Sequence, residues 1–287
     1  MAPVMFVLYI NITVIALYTV ATIYCATALK KQLTNTKERT IEKPSTNNPS
    51  LLQPGLLKLI TLTMVLHGIG IYGLIVNPNG LALGFFNMSS LIVWCINLIV
   101  LISGIRKPLH TLWLFLLPLS IVTVAISLFN KSPLWQYINM GIGAHIVFSI
   151  LAYSLFTIAV LQAILLAWQN HQLKHHQFKG FAQLMPPLET TETLLFEIIW
   201  IAQILLTLGM VVGVIYIDDI FAQHLVHKTV LSLLAWILFS GLLLGRHWVG
   251  WRGNTAIRWI FGGFCLLMLA FFGSKLVLEI ILQRSLA

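Results

Sequence analysis

Eight runs of roughly twenty apolar residues follow one another along this chain, and no other feature restricts its fold as tightly. Hydrocarbon offers backbone N–H and C=O groups no water, so a run of that length satisfies its own polar groups by forming a spanning helix. The runs lie near 4–28, 56–76, 83–104, 110–129, 138–168, 191–217, 228–245 and 257–282. With 59% of residues hydrophobic and 9% charged, little polar sequence is left to build a soluble domain. The expected fold is therefore all-α: a polytopic membrane helix bundle of about eight transmembrane helices, read as one integral-membrane domain over 1–287. No internal repeat is evident. The first run lacks a basic flank before it and a small-residue cleavage site after it, so it is expected to stay as a helix.

A net charge of +9 would point to nucleic acid in a soluble protein. Here the cations sit in short segments between apolar runs, so the positive-inside bias accounts for them and no nucleic-acid partner is expected. Thirteen fall on one side: Lys30, Lys31, Lys37, Arg39, Lys43, Lys58, Arg106, Lys107, Lys174, Lys179, Arg246, Arg252 and Arg258. Lys131, Lys228, Lys275 and Arg284 fall on the other, four in all. That asymmetry puts the first group in the cytoplasm and both termini outside. Residues 44–55 read as a flexible linker and 170–181 as a second cytoplasmic loop. His171, His175 and His176 in that loop are a weak metal-binding pattern beside the simpler reading of a solvated polar segment.

Motifs for covalent chemistry are missing. Cys25, Cys95 and Cys265 lie singly inside apolar runs, which excludes zinc-ligand spacing and covalent attachment of haem through a C-x-x-C-H motif. No nucleophile elbow, zinc-protease, P-loop or dinucleotide pattern occurs. Asp218 and Asp219 are adjacent at a membrane surface and do not form an acid/base pair across a cleft. The expectation is a protein with no catalytic residues.

Ionisable groups inside spans are costly and are functional candidates for that reason. His67 lies midway along the second run, His145 about two turns into the fifth, and His227 at the start of the seventh on the side where the fifth also begins. Neutral imidazole is a good axial ligand for haem iron. The competing reading is that these histidines hydrogen-bond across helices. Gly68, Gly70 and Gly73 around His67 fit close helix packing or room for a flat ligand equally well, whereas Gly209 with Gly213 and Gly241 with Gly245 are read as packing. Glu197, and Lys275 with Glu279, are the remaining exceptions, read as snorkelling or paired groups. Glu189 and Glu192, after Pro186-Pro187, mark the start of the sixth helix.

The order of LHGIGIYG (66–73), GAHIVFSILAYSLF (143–156), the stretch 184–216, HKTVLSLLAWILFSGLLLGR (227–246), GWRGNTAIRW (250–259) and FFGSKLVLE (271–279) resembles the cytochrome c assembly family. These are CcsA/CcmC-type haem-handling proteins, and the resemblance is closest to their HemX- and YpjD-like inner-membrane branch, over about 56–282. In that family, histidines in the membrane and at its outer edge ligate haem around an outer tryptophan-rich segment that ends in an acidic residue. The resemblance places His67 at the first intramembrane position and His145 at the first outer one. The second intramembrane position falls on Leu244, with His247 about one turn further on, and the second outer position near Leu282. The segment 217–228 contains no tryptophan.

The resemblance implies a bacterial inner-membrane protein of the haem-handling or cytochrome-assembly kind. Haem b would sit non-covalently between helices, with His67 or His145 as ligand; His227 is added as the candidate second ligand from its place on the same side as His145, not from the resemblance. Its partners would be the lipid bilayer, haem, and a membrane protein of a cytochrome-assembly or other complex. Two other readings remain open: an accessory or regulatory subunit whose haem site has degenerated, and a small-ion or metabolite transporter using Glu197, Lys275 and Glu279.

Overall fold

The computed structural model describes residues 2–39, 54–77, 80–104, 107, 109–128, 135–136, 139–175, 181, 185–216 and 223–273. Its helices are α1 (Ala2–Arg39), α2 (Pro54–Ile75), α3 (Phe85–Ser103), α4 (Trp113–Leu128), α5 (Met140–Lys174), α6 (Leu188–Tyr216), α7 (Gln223–Trp248) and α8 (Asn254–Met268). A 3₁₀ turn at His110–Leu112 leads into α4, and a π turn at Leu269–Gly273 prolongs α8. Among the described residues, eight helices are long and apolar enough to cross a membrane, as the apolar runs require. Short strands tie two inter-helix segments together, pairing Leu81 with Gln136 and Ala82 with Trp135.

Two helices overrun the ends expected of them. α1 has 38 residues, about 57 Å at 1.5 Å per residue, against a hydrocarbon core of about 30 Å. It carries Lys30 to Arg39, expected as loop, because Lys, Gln, Glu and Arg are good helix formers and no Gly or Pro interrupts them before Pro44. For the same reason α5 runs on to Lys174 and takes His171 into the helix. The linker from 44 is described only from Pro54, which serves as the first residue of α2 where its missing N–H costs nothing. Asp218, Asp219, His176, Lys275, Glu279 and Leu282 lie outside the described residues.

The described helices fall into two compact units. The first holds α1, α2, α3 from Ser89, and α4. In it Val14, Tyr18 and Ala21 of α1 turn one fully buried face toward α2 and α4. Asn97 of α3 donates to the Ser120 hydroxyl of α4 at 2.6 Å. The second unit holds α5 as far as His171, α6, α7 and α8. Phe156 of α5 stacks on Phe239 of α7 with ring centroids 4.0 Å apart. Gln203 of α6 donates to Ser240 Oγ of α7 at 2.7 Å, and the Trp236 indole returns a bond to Thr207 at 2.8 Å. Such links matter in a membrane, where lipid tails are as apolar as the side chains and burial alone drives little association. At the far end of α8 the Tyr153 hydroxyl donates to the Leu267 carbonyl at 2.7 Å, just before the π turn.

Candidate functional site

His67 is fully buried in the first unit, and both of its ring nitrogens are occupied. Nδ1 lies 3.0 Å from the Tyr18 hydroxyl of α1, and Nε2 lies 3.0 Å from the Ser90 hydroxyl of α3. A hydroxyl can donate or accept, so the pair satisfies a neutral imidazole in either tautomer. The glycines beside it are packed. The Trp94 ring lies over Gly68, and a Cβ on Gly70 or Gly73 would stand 2.7 Å from Asn11 Oδ1 or 2.6 Å from Val7 Cγ2, both on α1. Of the two readings those glycines allowed, close packing is the one realised. As arranged, either nitrogen of His67 would have to give up a hydroxyl partner before it could ligate iron.

His145 is different. It lies half-buried near the start of α5 in the second unit, with Nδ1 2.7 Å from the backbone carbonyl of Gly209 on α6. A carbonyl only accepts, so Nδ1 carries a proton, and in the neutral ring Nε2 keeps its lone pair. Metal-ligating histidines typically show this arrangement, in which the second nitrogen fixes ring and tautomer through a backbone carbonyl. No further partner for Nε2 occurs among the described residues. The ring reaches the carbonyl because Gly213, one turn along α6, has no side chain: a Cβ there would stand 2.8 Å from Nδ1. What the arrangement offers a metal is one imidazole nitrogen, Nε2 of His145.

His227 lies in the same unit, four residues into α7, and is exposed. The start of α5 packs against the end of α6, where the Tyr216 ring fills the space beside Gly141. His145 and His227 thus sit near the starts of two helices that flank α6 in the chain. Leu244 and His247, at and near the family's second intramembrane position, are exposed on α7. His171 and His175 are exposed too, and no group of three metal-ligating side chains occurs among the described residues. Glu197 faces outward on α6.

At the opposite end of the second unit Glu192 is more than a helix-start residue. Its side chain is 7% exposed, and one oxygen, Oε1, accepts from Arg246 Nη1 at 3.2 Å and Arg252 Nε at 3.3 Å. The Arg246 guanidinium also lies 4.7 Å from the centre of the Phe196 ring, in cation–π range. This junction of α6, α7 and the α7–α8 turn was missed because acid and base are 54 and 60 residues apart. A signal did exist: Glu192 shares its helix face with Leu195, Ile199, Ala202 and Leu206, all buried.

A polytopic helical membrane protein with imidazoles placed inside its span and near one helix end is the class these features define. The chain belongs to the cytochrome c assembly protein family, which it matches over residues 56–282, from the first turn of α2 onward. Inner membrane protein YpjD of Escherichia coli is 30% identical over 247 residues, covering 81% of this chain and 94% of that protein. An uncharacterized 28.8 kDa protein of Azospirillum brasilense is 26% identical over 195 residues, or 66% of this chain and 72% of its own length. No solved structure matches the chain significantly. The chain is accordingly a multi-pass inner-membrane protein and, in the general sense its family carries, a haem-handling one.

Proposed function

We propose that the protein holds haem b non-covalently in its second unit, with His145 as iron ligand and His227 as the candidate second ligand. The observation that carries this reading is the Nδ1–H bond from His145 to the Gly209 carbonyl, which leaves Nε2 basic and aimed by α6. Haem supplies the redox-active iron; the chain supplies orientation and a fixed tautomer and catalyses no reaction of its own. Its partner on this reading is another membrane protein of a cytochrome-assembly or other complex. Reduced-minus-oxidised absorbance of wild type, His67→Ala, His145→Ala and His227→Ala, prepared with haem in excess, tests it. The expected result is a haem signal in wild type, lost in His145→Ala, altered in His227→Ala and unchanged in form in His67→Ala. A signal that survives His145→Ala would discard the ligand assignment.

The accessory-subunit reading draws on a separate observation, the occupation of both His67 nitrogens beneath α1. Wild type without any haem signal would favour it. The transporter reading keeps less support, since Glu197 faces outward and Lys275 and Glu279 lie outside the described residues.

Orientation belongs to the same proposal. The excess of thirteen cations over four places both termini outside and residue 45 in the cytoplasm. Reporter fusions at residues 45 and 287 are expected to give opposite answers, and an external residue 45 would reverse the topology.

A further inference from the structure

The turn from α7 to α8 carries charge that the fold does not use up. Arg246 and Arg252 converge on one oxygen of one buried carboxylate, so the cluster keeps a net positive charge. Glu192 takes only Nε of Arg252, and the two Nη groups at the end of that guanidinium have no partner among the described residues. The Arg252 side chain is 55% exposed, yet its base is held in place. Trp251 packs its ring beside Gly245 and 4.8 Å from the Trp259 ring, and its N–H bonds the Gly245 carbonyl at 3.1 Å. Gly250 and Gly253 take positive φ of 75° and 55°, and a Cβ at either would meet nothing within 4 Å. The fork therefore stands on a braced turn with open space around it. Arg258, exposed on α8, adds a further cation at this end of the unit.

The surface leading to this turn identifies its surroundings. Val230, Leu233, Leu234, Ile237, Leu244 and Trp248 are exposed along α7 at helical spacing, an apolar stripe that suits acyl chains. It ends in Trp248 and Val249, 76% and 70% exposed, immediately before Arg252. Tryptophan at the end of a lipid-facing stripe marks headgroup depth. At that depth the anion on hand is a phospholipid phosphate, and a planar guanidinium whose two Nη groups form a free edge binds phosphate in bidentate fashion.

We propose that Arg252, braced by Glu192 and accompanied by Arg246, forms a binding site for the phosphate of an anionic phospholipid at this membrane face. The lipid's acyl chains lie along the exposed stripe of α7. The site is independent of haem, which the proposal above places at the opposite end of the same helices.

Native mass spectrometry of the full chain in detergent micelles, with phosphatidylglycerol or phosphatidylcholine added in equal amounts, tests this. Wild type is expected to retain phosphatidylglycerol about tenfold better, because phosphatidylcholine brings a choline cation beside its phosphate and the cluster already carries a net positive charge. Arg252→Gln is expected to lose that preference. Arg252→Lys keeps a cation beside Glu192 but lacks the fork, and is expected to lose most of the preference while remaining folded by size exclusion and circular dichroism. Should the glutamine variant not fold, the lysine variant decides. Equal retention of the two lipids by wild type would overturn the proposal, as would an undiminished preference in the folded lysine variant. Inorganic phosphate alone is expected to leave the melting temperature unchanged; a shift as large as that given by phosphatidylglycerol would make this a site for soluble anions and overturn the lipid assignment.

Discussion

Valine in place of Gly213 is expected to abolish the haem signal that depends on His145 and to lower the protein's thermal stability together with it. The first added carbon would stand 2.8 Å from Nδ1 and 3.0 Å from Cε1 of the imidazole, too close for either group to stay where it is. The ring is the softer of the two, so it swings away from the Gly209 carbonyl and loses the bond that fixes its tautomer. Overpacking of this kind costs about 1–3 kcal/mol. The same substitution thus changes ring position and helix packing at once. Difference absorbance and a thermal melt in detergent measure the two effects separately. Alanine at the same position is expected to give a weaker form of both. A Gly213→Val protein with wild-type absorbance would show that the bond to Gly209 is not what prepares His145.

The second large effect is expected at Glu192. Removing one partner of a buried ion pair costs about 3–5 kcal/mol, because the charge left behind has lost its counter-ion and cannot return to water. Arg252 is more than half exposed and resolvates, so the loss at Glu192→Ala falls mainly on Arg246, whose side chain is 26% exposed. A net cost of roughly 2 kcal/mol follows from that discount. Coupling gives the sharper check. The double variant Glu192→Ala, Arg246→Leu no longer carries the stranded charge and is expected to melt higher than Glu192→Ala alone. If the double variant were instead less stable by the sum of the two single losses, the carboxylate would be acting through packing and not as a counter-ion.

What could be foreseen of this molecule divides along physical lines. Spans are written locally: a run such as 191–217 is long and apolar enough to declare itself, and α6 at Leu188–Tyr216 lies within a few residues of it. Helix ends were harder to place, because the apolar run stops where the membrane stops while the helix stops where capping or composition stops it, as Lys30 to Arg39 of α1 show. Their place inside apolar runs located His67 and His145, but residue types alone could not rank them. Their difference lies in partners 49 and 64 residues away, a hydroxyl on α1 in one case and a carbonyl on α6 in the other. Nothing in LHGIGIYG distinguishes glycines that admit a ligand from glycines filled by Trp94, Asn11 and Val7. Glu192 reads as a helix-start residue because proximity to Pro187 is visible in sequence and proximity to Arg246 is not.

The bond from Tyr18 to His67 also bears on the order in which the bundle is made. α1 precedes the family-matched region, and a chain inserted from its N-terminus brings Tyr18 into the bilayer first, then His67, then Ser90. Once α1 and α2 are in place as a hairpin, one imidazole nitrogen is satisfied and the other faces hydrocarbon, at a cost of about 1–3 kcal/mol. Arrival of α3 removes that penalty through Ser90, so the half-satisfied ring favours docking of the third helix over escape of the first two. The imidazole is fully satisfied only with all three segments in place, so its two bonds tie α1, α2 and α3 to a single register.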